Sequence, residues 1–134
     1  MARHFTLMSS LSFGAATLTS FFLKHVTRRT RPGDCPAGDA TCESRRHLSF
    51  PSGHAALAFT AASLSCTYHV RVGVYGSRVA DYAACGASVG LALATSFLRI
   101  RARRHYLSDV LVGSAIGVLA GWLLPSVLYL GLGR

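Results

Sequence analysis

Three short clusters hold the residues of this 134-residue chain whose types and spacing could do chemistry. Lys24 and Arg31-Pro32 form the first, Pro51-Ser52-Gly53-His54 the second, and Arg99, His105 and Asp109 the third. Together they have what phosphoryl transfer requires. Charge spread over three phosphate oxygens has to be met by fixed cations and backbone donors. Lys24, Arg31 and Arg99 supply cations, and arginine presents a planar fork matched to phosphate oxygens. Ser52 and Gly53 stand where a helical run begins, so unpaired N–H groups and the positive end of the helix dipole favour an anion there. Glycine at that point lets the backbone approach the anion closely.

The reacting groups are two histidines and one acid. His105 and Asp109 are four apart and share a face if a helix begins near His105. The carboxylate would then hold one ring N–H and leave the other nitrogen as a nucleophile. His54 remains to protonate the leaving oxygen. Asp109 is the single acid in the clusters, so no metal site and no cofactor are expected. Each residue alone has an ordinary explanation: an arginine as a head-group anchor, Ser52 as a helix N-cap, Asp109 as a first-turn acid. Only the joint pattern points to catalysis.

The elements that must position these clusters are apolar. Hydrophobic residues make up 51% of the chain and charged residues 14%, against about 25% charged in an average soluble domain. Residues 5–23 and 110–133 contain no acidic or basic residue, 54–70 only histidines at its ends, and 79–98 only Asp81. About 20 apolar residues cross a bilayer as a helix. The expected fold is therefore an all-α integral-membrane bundle of about four transmembrane helices, over roughly 5–23, 54–72, 79–98 and 107–130, in one domain. The first run is read as a retained helix and not a cleaved signal, since no convincing small-x-small cleavage site precedes Lys24 and the run is longer than usual for a signal. Gly113, Gly117 and Gly121, and likewise Gly86, Gly90 and Ala94, recur four apart, a spacing that lets helix backbones approach closely in lipid.

The three clusters resemble the type 2 phosphatidic acid phosphatase superfamily, whose motifs are Lys-x6-Arg-Pro, Pro-Ser-Gly-His and Ser-Arg-x5-His-x3-Asp. Every specified position matches in order and spacing except one: Leu98 stands where the family has serine. That serine helps bind phosphate in the family, so substrate affinity or choice is the property its loss puts in question. The resemblance, over roughly residues 20–125, implies metal-free hydrolysis of a lipid-like phosphate or pyrophosphate. His105 would be nucleophile, His54 general acid and Asp109 its orienting acid; Lys24, Arg31, Ser52, Gly53 and Arg99 would bind the phosphate. Membrane members have six spans with the motifs in the last four. The chain thus looks like that catalytic core, either a fragment or a minimal form that needs a partner or a second copy to complete its bundle. A vanadate-dependent haloperoxidase shares the constellation, but those relatives are larger soluble proteins. A non-catalytic lipid-binding subunit is a further alternative.

Ten of the 14 basic residues fall on the face that carries the motifs: Lys24, Arg28, Arg29, Arg31, Arg45, Arg46, Arg99, Arg101, Arg103 and Arg104. The positive-inside rule would make that face cytoplasmic. The family resemblance and the Cys35/Cys42 pair, which could close a small disulfide in an oxidising compartment, favour the extracytoplasmic side. The formal charge of +9 is matched to lipid phosphates and head groups and not to nucleic acid, because the basic run at 99–104 lies between two spans. His25, His47, Arg45 and Arg46 lie near the motifs and are read as solvated loop residues, with contact to the substrate's polar part as the alternative; Cys66 and Cys85 are read as packing residues and Asp81 as interfacial. His4 and His69, on the opposite side, are given no role.

Overall fold

A computed structural model describes residues 2–34 and 48–128. Four helices run up and down: α1 (Ala2–Thr27), α2 (Gly53–Val72), α3 (Arg78–Arg101) and α4 (Leu107–Leu128). No strand occurs among the described residues. Cys35, Cys42, Arg45, Arg46 and His47 lie outside them.

Packing is sorted by size in the manner of a bundle solvated by lipid. The buried apolar residues are mainly alanines (Ala16, Ala55, Ala56, Ala62, Ala92 and Ala120), whereas Leu18 and Leu91 are 70% and 71% exposed. Large apolar groups turned outward lose nothing in hydrocarbon, and small ones inside let backbones close up. The contact of α2 with α4 shows this directly. A Cβ at Gly113 would collide with the Ser52 carbonyl and one at Gly117 with that of Ala56; at Gly121 it would lie 2.6 Å from Thr60 O. The stripe at 113, 117 and 121 therefore packs as its spacing predicts. The second stripe does not, since a Cβ at Gly86 or Gly90 meets nothing within 4 Å. The spacing marks a surface that can pack closely, and here α3 turns that surface away from its neighbours.

By length and composition, α1 (over Phe5–Thr27), α3 and α4 are apolar enough to cross a membrane, and α2 is not. The four-helix bundle is as expected, and α2 is the helix whose composition falls short of that measure. The reason is its place: α2 packs on α1, α3 and α4, while α3 and α4 scarcely touch. A helix shielded by three others can carry polar groups on its inner faces. Thr60 donates to Ala56 O at 2.8 Å and Thr67 to Gly121 O at 3.5 Å.

Local signals set the ends of α2. Ser52 is its N-cap, and Gly73 ends it in the left-handed region at φ 74°, with its N–H bonded to His69 O and Tyr68 O; glycine takes that conformation without steric cost. A short turn returns the chain into α3, and Cys66 and Cys85 lie at similar distances either side of it. They form a disulfide across the α2–α3 hairpin, with Cα atoms 4.5 Å apart, so they are more than packing residues. At the same end His69 Nδ1 lies 2.7 Å from Asp81 Oδ1, and Tyr75 N donates to that oxygen at 3.1 Å. Asp81 is thus buried and partnered, not interfacial, and His69 has a structural role that its sequence context did not reveal.

Candidate active site

The alternating helices bring the end of α1, the start of α2, the end of α3 and the start of α4 together, and with them all three sequence clusters. Lys24 lies in the last turn of α1, and Arg99 in that of α3. His54 is the second residue of α2. Lys24, Arg31 and Arg99 all act electrostatically on His54, and Lys24, Arg31 and Asp109 act on His105. The residues predicted to act together are neighbours.

The segment 48–52 is the keystone. Lys24 Nζ donates to Leu48 O at 3.0 Å and to Pro51 O at 2.6 Å, and Thr27 Oγ1 donates to Phe50 O at 3.1 Å. The ammonium thus spends two of its three protons bracing this segment and keeps one for a ligand. Ser49 N donates to Arg29 O at 2.9 Å, and Ser52 N to Asp109 O at 2.8 Å. The Ser52 N–H is therefore already used, and its side chain, fully buried, accepts from Ala55 N at 3.4 Å. Ser52 builds the helix start more than it offers donors of its own. A Cβ on Gly53 would lie 3.8 Å from Lys24 Cε, an ordinary contact, so no protein atom demands glycine there.

His105 is held differently from the i, i+4 expectation. Because α4 starts at Leu107, His105 precedes the helix, and it stands beside Asp109 without a direct hydrogen bond to it. Its Nδ1 lies 2.7 Å from Ser49 O and 3.8 Å from Asp109 Oδ2. The backbone carbonyl, not the carboxylate, accepts the ring proton, and this leaves Nε2 as the basic nitrogen. Asp109, with no exposure, is committed elsewhere: Oδ1 accepts from Arg29 Nη1 at 2.8 Å, and Oδ2 from Ser49 Oγ at 2.5 Å and Tyr106 N at 2.9 Å. The acid reaches the histidine through Ser49, whose carbonyl touches one and whose hydroxyl touches the other.

Arg29 and Ser49 are the participants that sequence reasoning missed. Arg29 also donates to Ser108 Oγ at 2.7 Å and lies 4.1 Å above the Tyr106 ring. Arg29 falls among the unspecified positions of its motif and Ser49 just before the second. Nothing in their types separates them from loop residues until the chain is folded. His25, by contrast, bonds back to Phe21 O within its own helix at 2.9 Å.

The ring of His105 is 3% exposed. Burial pushes its pKa down to about 4; the Ser49 carbonyl works against this, Lys24 adds to it, Asp109 opposes it, and Arg31 adds to it. The ring is neutral at pH 7, the state a nucleophile needs. Arg99 Nη2 lies 2.6 Å from His54 Nδ1 and 2.7 Å from Nε2, so the guanidinium lies against that ring. Nε of both Arg31 and Arg99 is buried with no hydrogen-bond partner among the described residues. Buried donors without acceptors are costly, and a phosphate oxygen is an acceptor suited to them.

The sequence profile of the PAP2 superfamily matches residues 5–130. Among curated proteins, the lipid A 1-phosphatase of Porphyromonas gingivalis is 45% identical over 73 residues, which is 54% of this chain and 15% of that protein. The match thus covers a small part of the relative's own length. No solved structure matches the chain significantly.

Proposed function

The chain belongs to the PAP2 superfamily, and we propose that it is a membrane phosphatase that hydrolyses a lipid-like phosphate or pyrophosphate monoester through a phosphohistidine, without a metal. One observation carries this reading. A buried histidine with Nδ1 fixed on Ser49 O at 2.7 Å stands among Lys24, Arg31 and Arg99, two of which keep buried unpaired Nε donors.

A phosphate entering between the arginines takes up those donors and part of the Arg99 contact with His54. Nε2 of His105 attacks phosphorus, the bond from phosphorus to the ester oxygen breaks, and His54 passes a proton to that oxygen, releasing the alcohol. Water then attacks the phosphohistidine and gives its proton to His54. The P–N bond breaks, and inorganic phosphate leaves with both histidines restored. In-line displacement of this kind needs positioning and charge stabilisation more than further chemistry. Leu98 is 62% exposed, so it supplies no substitute for the serine hydroxyl.

How the acid is used supports the reading without a metal. Both oxygens of Asp109 are engaged by protein donors, which leaves three fixed cations to neutralise the phosphate. Turnover of phosphatidic acid by detergent-purified protein is expected to continue in excess EDTA with less than a twofold change. Loss of activity that magnesium restores would overturn the metal-free assignment. The similarity to a lipid A 1-phosphatase places a phosphorylated glycolipid beside phosphatidic acid, phosphatidylglycerol phosphate and polyprenyl pyrophosphate in the panel that would define the substrate.

The site is proposed to face the extracytoplasmic side, on the strength of the family resemblance and against the basic asymmetry. In a background lacking the native cysteines, Ala37→Cys is expected to react with an impermeant maleimide in intact cells, and Ser77→Cys only after permeabilisation. The reverse pattern would put the active site in the cytoplasm.

A further inference from the structure

We infer that a second phosphate-binding recess lies beside the catalytic one, between Gly33–Asp34 and the turn at Arg101–Arg104. Its bearing on substrate choice rests on the phosphatase reading; its existence does not. A cavity of about 390 Å³ is lined there by Gly33, Asp34, Arg101, Ala102, Arg103 and Arg104, a size within the range of about 300–1,000 Å³ usual for small-molecule sites. Nothing in the catalytic steps uses it.

Its walls are the segments that follow two of the catalytic cations: Gly33 comes two residues after Arg31, and Arg101 two after Arg99. Both walls are held in place. Backbone N–H groups of Ala102, Arg103 and Arg104 donate to Leu98 O, Ile100 O and Arg99 O at 2.9, 3.0 and 3.2 Å, tying the turn to the end of α3. Arg103 sits in the left-handed region at φ 50°, an uncommon conformation for a non-glycine residue that persists where the surroundings enforce it. Gly33 presses on it so closely that a Cβ would stand 2.8 Å from the Arg103 carbonyl oxygen and 3.2 Å from its Cβ. The approach that closes this recess is one only glycine allows.

Its charge selects the ligand. Three arginines and one aspartate are among its lining residues, and all three arginines are exposed. A helix C-terminus attracts cations, which accounts for an arginine at the end of α3 but not for a recess walled by a second loop. Arg104 is near enough to Arg99 to act on it electrostatically, which puts the recess beside the catalytic cations. Forked donors in a polar recess suit phosphate. That phosphate belongs either to the substrate, which would then carry two, or to a neighbouring phospholipid.

Binding by the His105→Ala protein in detergent, where no turnover occurs, separates these. Phosphatidylglycerol phosphate, with two phosphates, is expected to bind at least 10-fold tighter than phosphatidic acid of the same chain length, with one. Combining Arg101→Gln, Arg103→Gln and Arg104→Gln should remove most of that preference and leave phosphatidic acid binding within twofold. In a second arm, phosphatidic acid binding is measured in phosphatidylcholine vesicles with and without phosphatidylglycerol. Dependence on phosphatidylglycerol that the triple variant loses would assign the recess to a neighbouring lipid, which also supports it. Arg101→Gln alone, expected to lose about threefold of the preference, serves if the triple variant does not fold. Equal affinities for the two lipids with no phosphatidylglycerol dependence would overturn the recess, as would equal losses for both lipids in the variants. Because these readings need no catalysis, the recess and the phosphatase assignment can fail separately.

Discussion

His105→Ala is expected to reduce turnover of any phosphate substrate by about 10³-fold or more, because a nucleophile has no substitute among its neighbours. The ring is buried with Nδ1 fixed on Ser49 O at 2.7 Å, which leaves Nε2 aimed by the backbone and not by a mobile side chain. Rapid quenching of wild type with labelled substrate should trap an acid-labile, base-stable phosphoenzyme, and the variant should form none. Near-normal activity in the variant would remove His105 from the nucleophile's role. The same burial has a pH consequence. An unprotonated ring is required, and burial holds the pKa at about 4, so the nucleophile stays available down to about pH 5. In labelled protein the His105 ring is expected to titrate near pH 4 by NMR. Titration near the ordinary value of about 6.5 would show that burial and the nearby cations do not act on it. An acid limb of turnover near pH 6 would then reflect the second ionisation of the phosphate.

His54→Ala is expected to cost about 10²–10⁴-fold on an alkyl phosphate, the usual worth of a positioned proton donor, and far less on an activated aryl phosphate. An alkoxide leaves poorly without a proton, whereas an aryloxide needs little help. His54 stands against Arg99, whose Nη2 lies 2.6 Å from Nδ1, so a phosphate bound by that guanidinium, as proposed, would lie beside the ring. The contrast between leaving groups is therefore the informative measurement. Equal losses on both substrates would assign His54 to binding or to structure.

Much of this protein is readable from residue order alone. Helices are dictated by runs without charge, because a bilayer leaves no other way to satisfy the backbone. Their alternation obliges Lys24, His54, Arg99 and His105 to share one end. The glycines at 113, 117 and 121 foretell a close helix contact for the same reason, since absence of a side chain is a local fact. Residues whose importance comes from their own chemistry, a histidine or an arginine at motif spacing, can be picked out before any folding.

Relations between segments are another matter, and tertiary structure alone decided them. The i, i+4 spacing of His105 and Asp109 does bring them to 3.8 Å, yet α4 begins only at Leu107, and it is the Ser49 carbonyl that takes the ring hydrogen bond. Arg29 and Ser49 gain their roles from partners 80 and 60 residues away in the chain, distances over which no local pattern carries information. The Cys66–Cys85 bond and the His69–Asp81 contact join residues across a hairpin whose register no single helix specifies. Which face of α3 meets α2, and so why Gly86 and Gly90 stay uncovered while α4 closes on α2, depends on the packing of the whole bundle. Sequence determines which groups can act; the fold determines which of them stand close enough to do so.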